Sequence, residues 1–360
     1  MEKTDEQKYL GFVISSKGNN LVNIKEMKRK SIWIINKIFS KLDSLTLKKY
    51  YFECGVIFLN IMLRSSILYA SECYYNLKET ELRQLERIEE GFLRRLLKTP
   101  KGCPISQLYL ESGHIPARFH ISKMRLLFLK YILGEDPNSL IHKILVLQIE
   151  NPCRGDWASS CYEDLNYLEI DQSFEDIKKI TKKQFTGILN EAIQKRAFNY
   201  LLQKRGSKGI EIEYTCLKMA DYLLPNDSGL TITEQRYIFA MRNRMISLPS
   251  NFSSNVIQCI SCDDVENMQH LHSCKKWNNN EEDISYKIVF TDEVRKFRII
   301  YERFKTNHEK RERYTEKENR IDEETGTHVI LNGDPLSSKL EFSNGLLIIS
   351  QCKQGLRSNR

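Results

Sequence analysis

Apolar residues return every three to four positions through much of this chain, and that spacing predicts a mainly α-helical fold. Ile24, Met27, Ser31, Ile34, Ile35, Ile38 and Leu42 fall on one helix face about 100° wide. The run 44–69 is apolar nearly all round and predicts a central second helix. Leu82, Leu85, Ile88, Phe92, Leu93 and Leu96 mark a third, with Thr80 as its N-cap and Thr99-Pro100 as its stop. Shorter helices are expected around 105–110, 117–133, 174–180 and 185–202, and a Gly-rich break at 205–209 interrupts the series. Thr231 and Glu234 form a capping-box pattern opening a helix that carries Tyr237, Ile238, Met241, Met245 and Leu248. Only Tyr9–Ile14 reads as a strand, closed by a polar turn over 15–20. A charged helix is expected at 293–319. From Arg320 periodicity is lost, and two Asn-Gly turns mark a disordered tail.

The expected organisation is a short β segment at 1–20, a helical region at 21–150, a helical linker at 151–230, a helix with a small metal-stapled module at 231–280, a charged helix at 281–319 and a flexible tail at 320–360. The chain has 360 residues and 41% apolar content, enough for two or three domains. Its first ten residues are polar and charged, unlike a secretory leader, and its longest apolar stretch is too short to span a bilayer. The expectation is an intracellular protein, nuclear or cytoplasmic, with no membrane partner.

Charge sharpens this picture. The net charge is +8, and residues 1–150 hold 24 Lys and Arg against 16 Asp and Glu, so the whole excess lies there. Lys25, Arg29, Trp33, Lys37 and Lys41 form an i+4 row on the side of the first helix away from its apolar face. Bases with an aromatic among them suit a phosphate backbone and a stacked base. The same row is compatible with Trp33 folded onto a neighbouring helix and lysines that are simply solvated. Arg242 and Arg244 lead into the metal module and either add nucleic-acid contacts or pair with nearby acids.

The metal module is Cys259-x2-Cys262-x7-His270-x3-Cys274. A Cys-x2-Cys knuckle presents two thiolates from one turn, and a short helix over the second half would set His270 and Cys274 at i and i+4, facing the same ion. His272 would point away. Ten Cys and seven His can cluster by chance, but the spacing fits one structural Zn²⁺ per chain, with all four positions filled by protein. The other cysteines show no disulfide framework.

Four landmarks, in order, resemble the carboxy-terminal half of reverse transcriptases from non-LTR, LINE-like retrotransposons. They are Lys8-Tyr9-Leu10-Gly11-Phe12, Leu63-Arg64-Ser65-Ser66-Ile67-Leu68-Tyr69-Ala70-Ser71-Glu72, the pair formed by 86–97 and Leu110-Glu111-Ser112-Gly113-His114-Ile115-Pro116, and Phe239–Met245 followed by the Cys-Cys-His-Cys cluster. The resemblance implies a primer-grip-like strand at Tyr9, Leu10 and Gly11, a helical thumb and connector, and RNA or an RNA–DNA hybrid as partner. It also implies a missing activity. The family's polymerisation depends on a Tyr/Phe-x-Asp-Asp turn holding Mg²⁺, and the only Asp-Asp here is Asp263-Asp264, inside the metal loop. The chain is therefore expected to be a truncated or domesticated piece with no polymerase catalysis of its own. The competing reading is a zinc-stapled module that binds protein and no nucleic acid.

Overall fold

The computed structural model describes residues 6–9, 12–15, 20–46, 48–99, 102–205, 212–225, 229–245, 262, 270, 301, 302, 309, 340–343 and 346–349. It is mainly helical, and it divides into two compact units. The first takes in Met1–Leu96, Pro104–Lys208 and Tyr214–Pro225; the second takes in Leu97–Cys103, Gly209–Glu213 and Asn226–Arg360. Among the described residues no helix is long and apolar enough to cross a membrane.

The first unit opens with a hairpin where one strand was expected. β1 (Glu6–Tyr9) pairs antiparallel with β2 (Phe12–Ser15), and Tyr9 sits opposite Phe12. Leu10 and Gly11, the rest of the primer-grip-like segment, lie outside the described residues, as does most of the turn expected at 15–20. This two-stranded sheet is fastened to α1 (Leu21–Asp43) by one side chain. Asn23 donates from Nδ2 to the Val13 carbonyl and accepts the Val13 N–H at Oδ1, both at 2.7 Å. A buried amide thus serves Val13 as a strand neighbour would, so both the Asn23 side chain and the Val13 backbone groups are satisfied.

On α1, Ile24, Met27, Ser31, Ile34, Ile38 and Leu42 are buried as the periodicity predicts, joined by Phe39, while Ile35 of the same predicted face is only half-buried. Phe39 reaches Phe92 of α4 (Glu79–Leu97) with ring centroids 5.1 Å apart. The second helix departs from expectation. A 3₁₀ turn at Lys48–Tyr50 leads into α2 (Tyr51–Phe58), a π-helical segment at Leu59–Arg64 and α3 (Ser65–Ile67). Only one side is buried, and Ile57 and Ile61 face outward, so the all-round apolar pattern does not make it central. Gly55 is the close-approach point: a Cβ there would lie 2.5 Å from a methyl of Leu96.

α4 starts at Glu79, so Thr80 is not its cap; the Glu81 carboxylate accepts the Lys78 N–H at 2.8 Å instead. α5 (Ile105–Ser112) and α6 (Ala117–Leu133) match their expected spans. Next come α7 (Leu140–Glu150) and α8 (Trp157–Tyr167), neither of them expected, and α9 (Phe174–Lys179) and α10 (Lys182–Gln203), close to the helices expected at 174–180 and 185–202. All four pack on α6, so residues 151–205 belong to the helical unit and the boundary expected at 150 is not a break in the fold.

In the second unit, Thr231 caps α11 (Ile232–Arg242) through the full capping box with Glu234. Tyr237 meets Tyr301 edge to face, with centroids 5.1 Å apart. Of the charged helix expected at 293–319, Tyr301, Glu302 and Glu309 are helical and the remaining positions lie outside the described residues. The tail, read as turns alone, carries an antiparallel hairpin of β3 (Leu340–Ser343) and β4 (Leu346–Ile349). Ser343 opposes Leu346 across Asn344-Gly345, a two-residue spacing that favours hairpins.

Candidate nucleic-acid interface and metal knuckle

α1 presents the whole basic row to solvent. Lys25, Arg29, Lys37 and Lys41 are exposed, and Trp33 is 65% exposed, so it is not folded onto a neighbouring helix. The Lys37 ammonium sits 4.9 Å from the centroid of the Trp33 ring, a cation–π contact that holds the indole against its own helix. Arg29 is less available than the spacing suggested. Its Nε and one terminal nitrogen donate to the two Glu26 oxygens at 3.0 Å each, and these hydrogen bonds hold the Glu26 carboxyl down at about 2.

Lys8, on β1, is the residue that sequence reasoning missed. With Val13, Val22, Lys25, Glu26 and Arg29 it lines an open depression between the hairpin and α1. Its membership follows from Asn23 docking the hairpin, a long-range contact with no periodic signal.

Arg242 is a correction. It is 1% exposed, because it stands one turn after the buried Ile238 on the inward face of α11. Arg244 lies past the helix end in a left-handed conformation (φ 53°) and is partly exposed. The two arginines do not form one basic face.

Of the four metal-ligand candidates, Cys259 and Cys274 lie outside the described residues. Cys262 Sγ and His270 Nε2 lie 3.2 Å apart. Bonds of ~2.3 Å to sulfur and ~2.0–2.1 Å to nitrogen on a tetrahedral Zn²⁺ place the two donors roughly 3.5 Å apart, so this pair fits a shared ion. The described residues contain no group of three or more potential metal ligands.

Three stretches of the first unit, 63–72, 86–97 and 110–116, meet in a buried polar centre. Arg64, at the end of the π-helical segment, donates to Glu89 Oε1 of α4 at 2.9 Å, to Asn60 Oδ1 at 3.1 Å and to the Ile115 carbonyl. Its fourth contact is His114 Nε2, 2.6 Å away. Arginine only donates, so His114 accepts there and carries its proton on Nδ1. Burial, the largest single influence, would raise the Glu89 carboxyl, but the Arg64 charge and hydrogen bond and the contact with His114 together outweigh it and hold it down at about 2. Burial, then the Arg64 charge, lowers His114 to about 4. Beside this centre Arg118 forks to Glu86 and Glu79 at 2.5 and 2.8 Å, and Arg125 binds Asp164 at 2.6 Å. Acids and bases cancel in these pairs, which leaves the basic excess of residues 1–150 to the surface. The arrangement has no exposed nucleophile or open cleft at its heart.

No protein-family model, no curated protein and no solved structure matches this chain.

Proposed function

We propose that the chain is a retroelement-derived nucleic-acid-binding protein without polymerase catalysis of its own. It grips RNA or an RNA–DNA hybrid through α1 and the adjoining hairpin, while a structural zinc knuckle staples the second unit. The exposed Trp33 set among Lys25, Arg29, Lys37 and Lys41 carries this reading. Lysines and arginine neutralise phosphates, and the indole stacks on a base or sugar across the face that Lys37 leaves uncovered. The retroelement origin is supported by the order of the landmarks and by their joint use in one buried centre.

The test is the salt dependence of binding to unstructured RNA. Each phosphate contact contributes about −0.7 to the slope of log K against log salt on single strands. Reversing Lys25 and Lys37 to Glu should flatten that slope by about one to two units across all sequences. Glu26→Gln should act oppositely, because it releases Arg29 from its carboxylate and makes one more cation available. Trp33→Ala should weaken binding by about 1–3 kcal/mol at nearly constant slope. A salt-independent affinity, or one indifferent to all four substitutions, would favour the protein-binding alternative.

A further inference from the structure

α7 is an apolar helix that the fold leaves half uncovered. Its N-terminus is capped by Ser139, whose hydroxyl accepts the His142 N–H at 3.3 Å. His142 Nδ1 donates to the Ile132 carbonyl at 3.1 Å, and Gln148 Oε1 accepts the Ala158 N–H at 3.1 Å. The helix is therefore held firmly, with His142 and Leu145 turned inward. Outward it presents Leu140, Ile144 and Leu147, which are 75%, 46% and 58% exposed. Their spacing of four and three residues is a d-a-d seam, continued at the next a position by Asn151.

Its only charged residues are Lys143 and Glu150. Both are exposed, and neither has an ion-pair partner among the described residues. They stand seven residues apart at successive g positions, flanking the seam on the same side. In an antiparallel helix pair g faces g, so a second copy of α7 would bring Lys143 beside the partner's Glu150 and, by the two-fold axis, the partner's Lys143 beside Glu150. A parallel pair would set each charge against an e position, Gln148 or Gly155, and gain nothing. The helix is neutral overall, which disfavours a polyanion, and it lacks the basic fringe of a membrane-surface helix.

We infer that α7 is the seam of an isologous, antiparallel homodimer of this chain. Ile144 packs against the partner's Leu147, and reciprocal Lys143–Glu150 pairs set the register. Three turns of helix make a seam smaller than a standard interface, so the dimer is weak and concentration-dependent.

The test is the mass of the full-length chain by sedimentation equilibrium over about two decades of concentration. The mass should rise from monomer to dimer, and Leu147→Glu should hold it at monomer with an unchanged circular-dichroism melt. Lys143→Glu alone should weaken the dimer about tenfold, since it puts like charges together twice. Adding Glu150→Lys should restore it, because the swap rebuilds both pairs. A chain that stays monomeric throughout overturns the proposal and assigns the stripe to another occupant. A dimer indifferent to Leu147→Glu, or a double swap no better than the single reversal, overturns it as well.

Discussion

Ala70 shows how a single position can carry strain that composition does not reveal. It adopts φ 55°, between α3 and the 3₁₀ turn at Ser71–Cys73, where a Cβ is costly by roughly 1–2 kcal/mol. Ala70→Gly should relieve the clash, offset in part by the ~0.5–1 kcal/mol of backbone freedom that glycine loses on folding. The expected outcome is a gain of about 0.5–1 kcal/mol in urea unfolding at unchanged m value; a loss would mean that the Ala70 methyl contributes packing that outweighs the strain. Gly113 is the opposite case. Its φ of 64° and the approach of the Met219 backbone nitrogen leave no room for a Cβ, which accounts for glycine inside the Leu110–Pro116 landmark. Both landmarks were visible as residue strings. Their backbone conformations were not, because no periodicity encodes a single left-handed residue.

At the scale of elements, legibility followed the strength of local signals. The capping box at Thr231 and the Pro-preceded α6 agree closely with the sequence reading, since caps and φ restraints act within one turn, whereas the box at Thr181, which opens α10 three residues earlier than expected, was not read. α7 and α8 were missed because their apolar positions do not segregate to one face, and one of those faces is left uncovered. The inward acids of α4 were invisible for another reason: Glu86 and Glu89 are buried by arginines brought from other elements. That centre ties the π-helical segment, α4 and the α5–α6 link together, and it makes a pH prediction. His114 titrates near 4 in the fold against 6.5 in the unfolded chain, so between those values the unfolded state binds more protons. Stability is fully present above about 6.5 and falls as pH drops toward 4. Glu89, lowered from 4.5 to about 2, extends the loss in the same direction below 4.5. Thermal melts should decline across this window. His114→Gln, measured as the difference between melts at the two ends of the His114 range, should flatten the upper part; His120, also lowered to about 4 by burial, supplies what remains. An equally steep profile in the variant would move the proton uptake away from His114.

For the whole molecule, the division into two units decides what the metal is expected to hold. The first unit has its own apolar core and a set of paired buried charges. The knuckle belongs to the second, where the approach of Cys262 and His270 is the one part of the four-ligand pattern within the described residues. The Cys262–His270 approach was suggested by the local Cys/His spacing; the buried pairing of Arg64 with Glu89 was not, since it depends on contacts distant in sequence. Structural zinc supplies local folding energy, on the order of 10 kcal/mol in small knuckles. The purified chain should hold one Zn²⁺ by atomic emission, and Cys262→Ala or His270→Ala should release it. Chelation should expose the thiols of Cys259, Cys262 and Cys274 to a disulfide reagent and remove little helical signal, because among the described residues the long helices lie in the first unit. If α1 provides the cations as proposed, RNA affinity should survive chelation with its salt slope intact. If affinity vanishes with the metal while the helical signal persists, the binding surface belongs to the knuckle and not to α1. Full retention of zinc by both variants would show that these side chains do not ligate it.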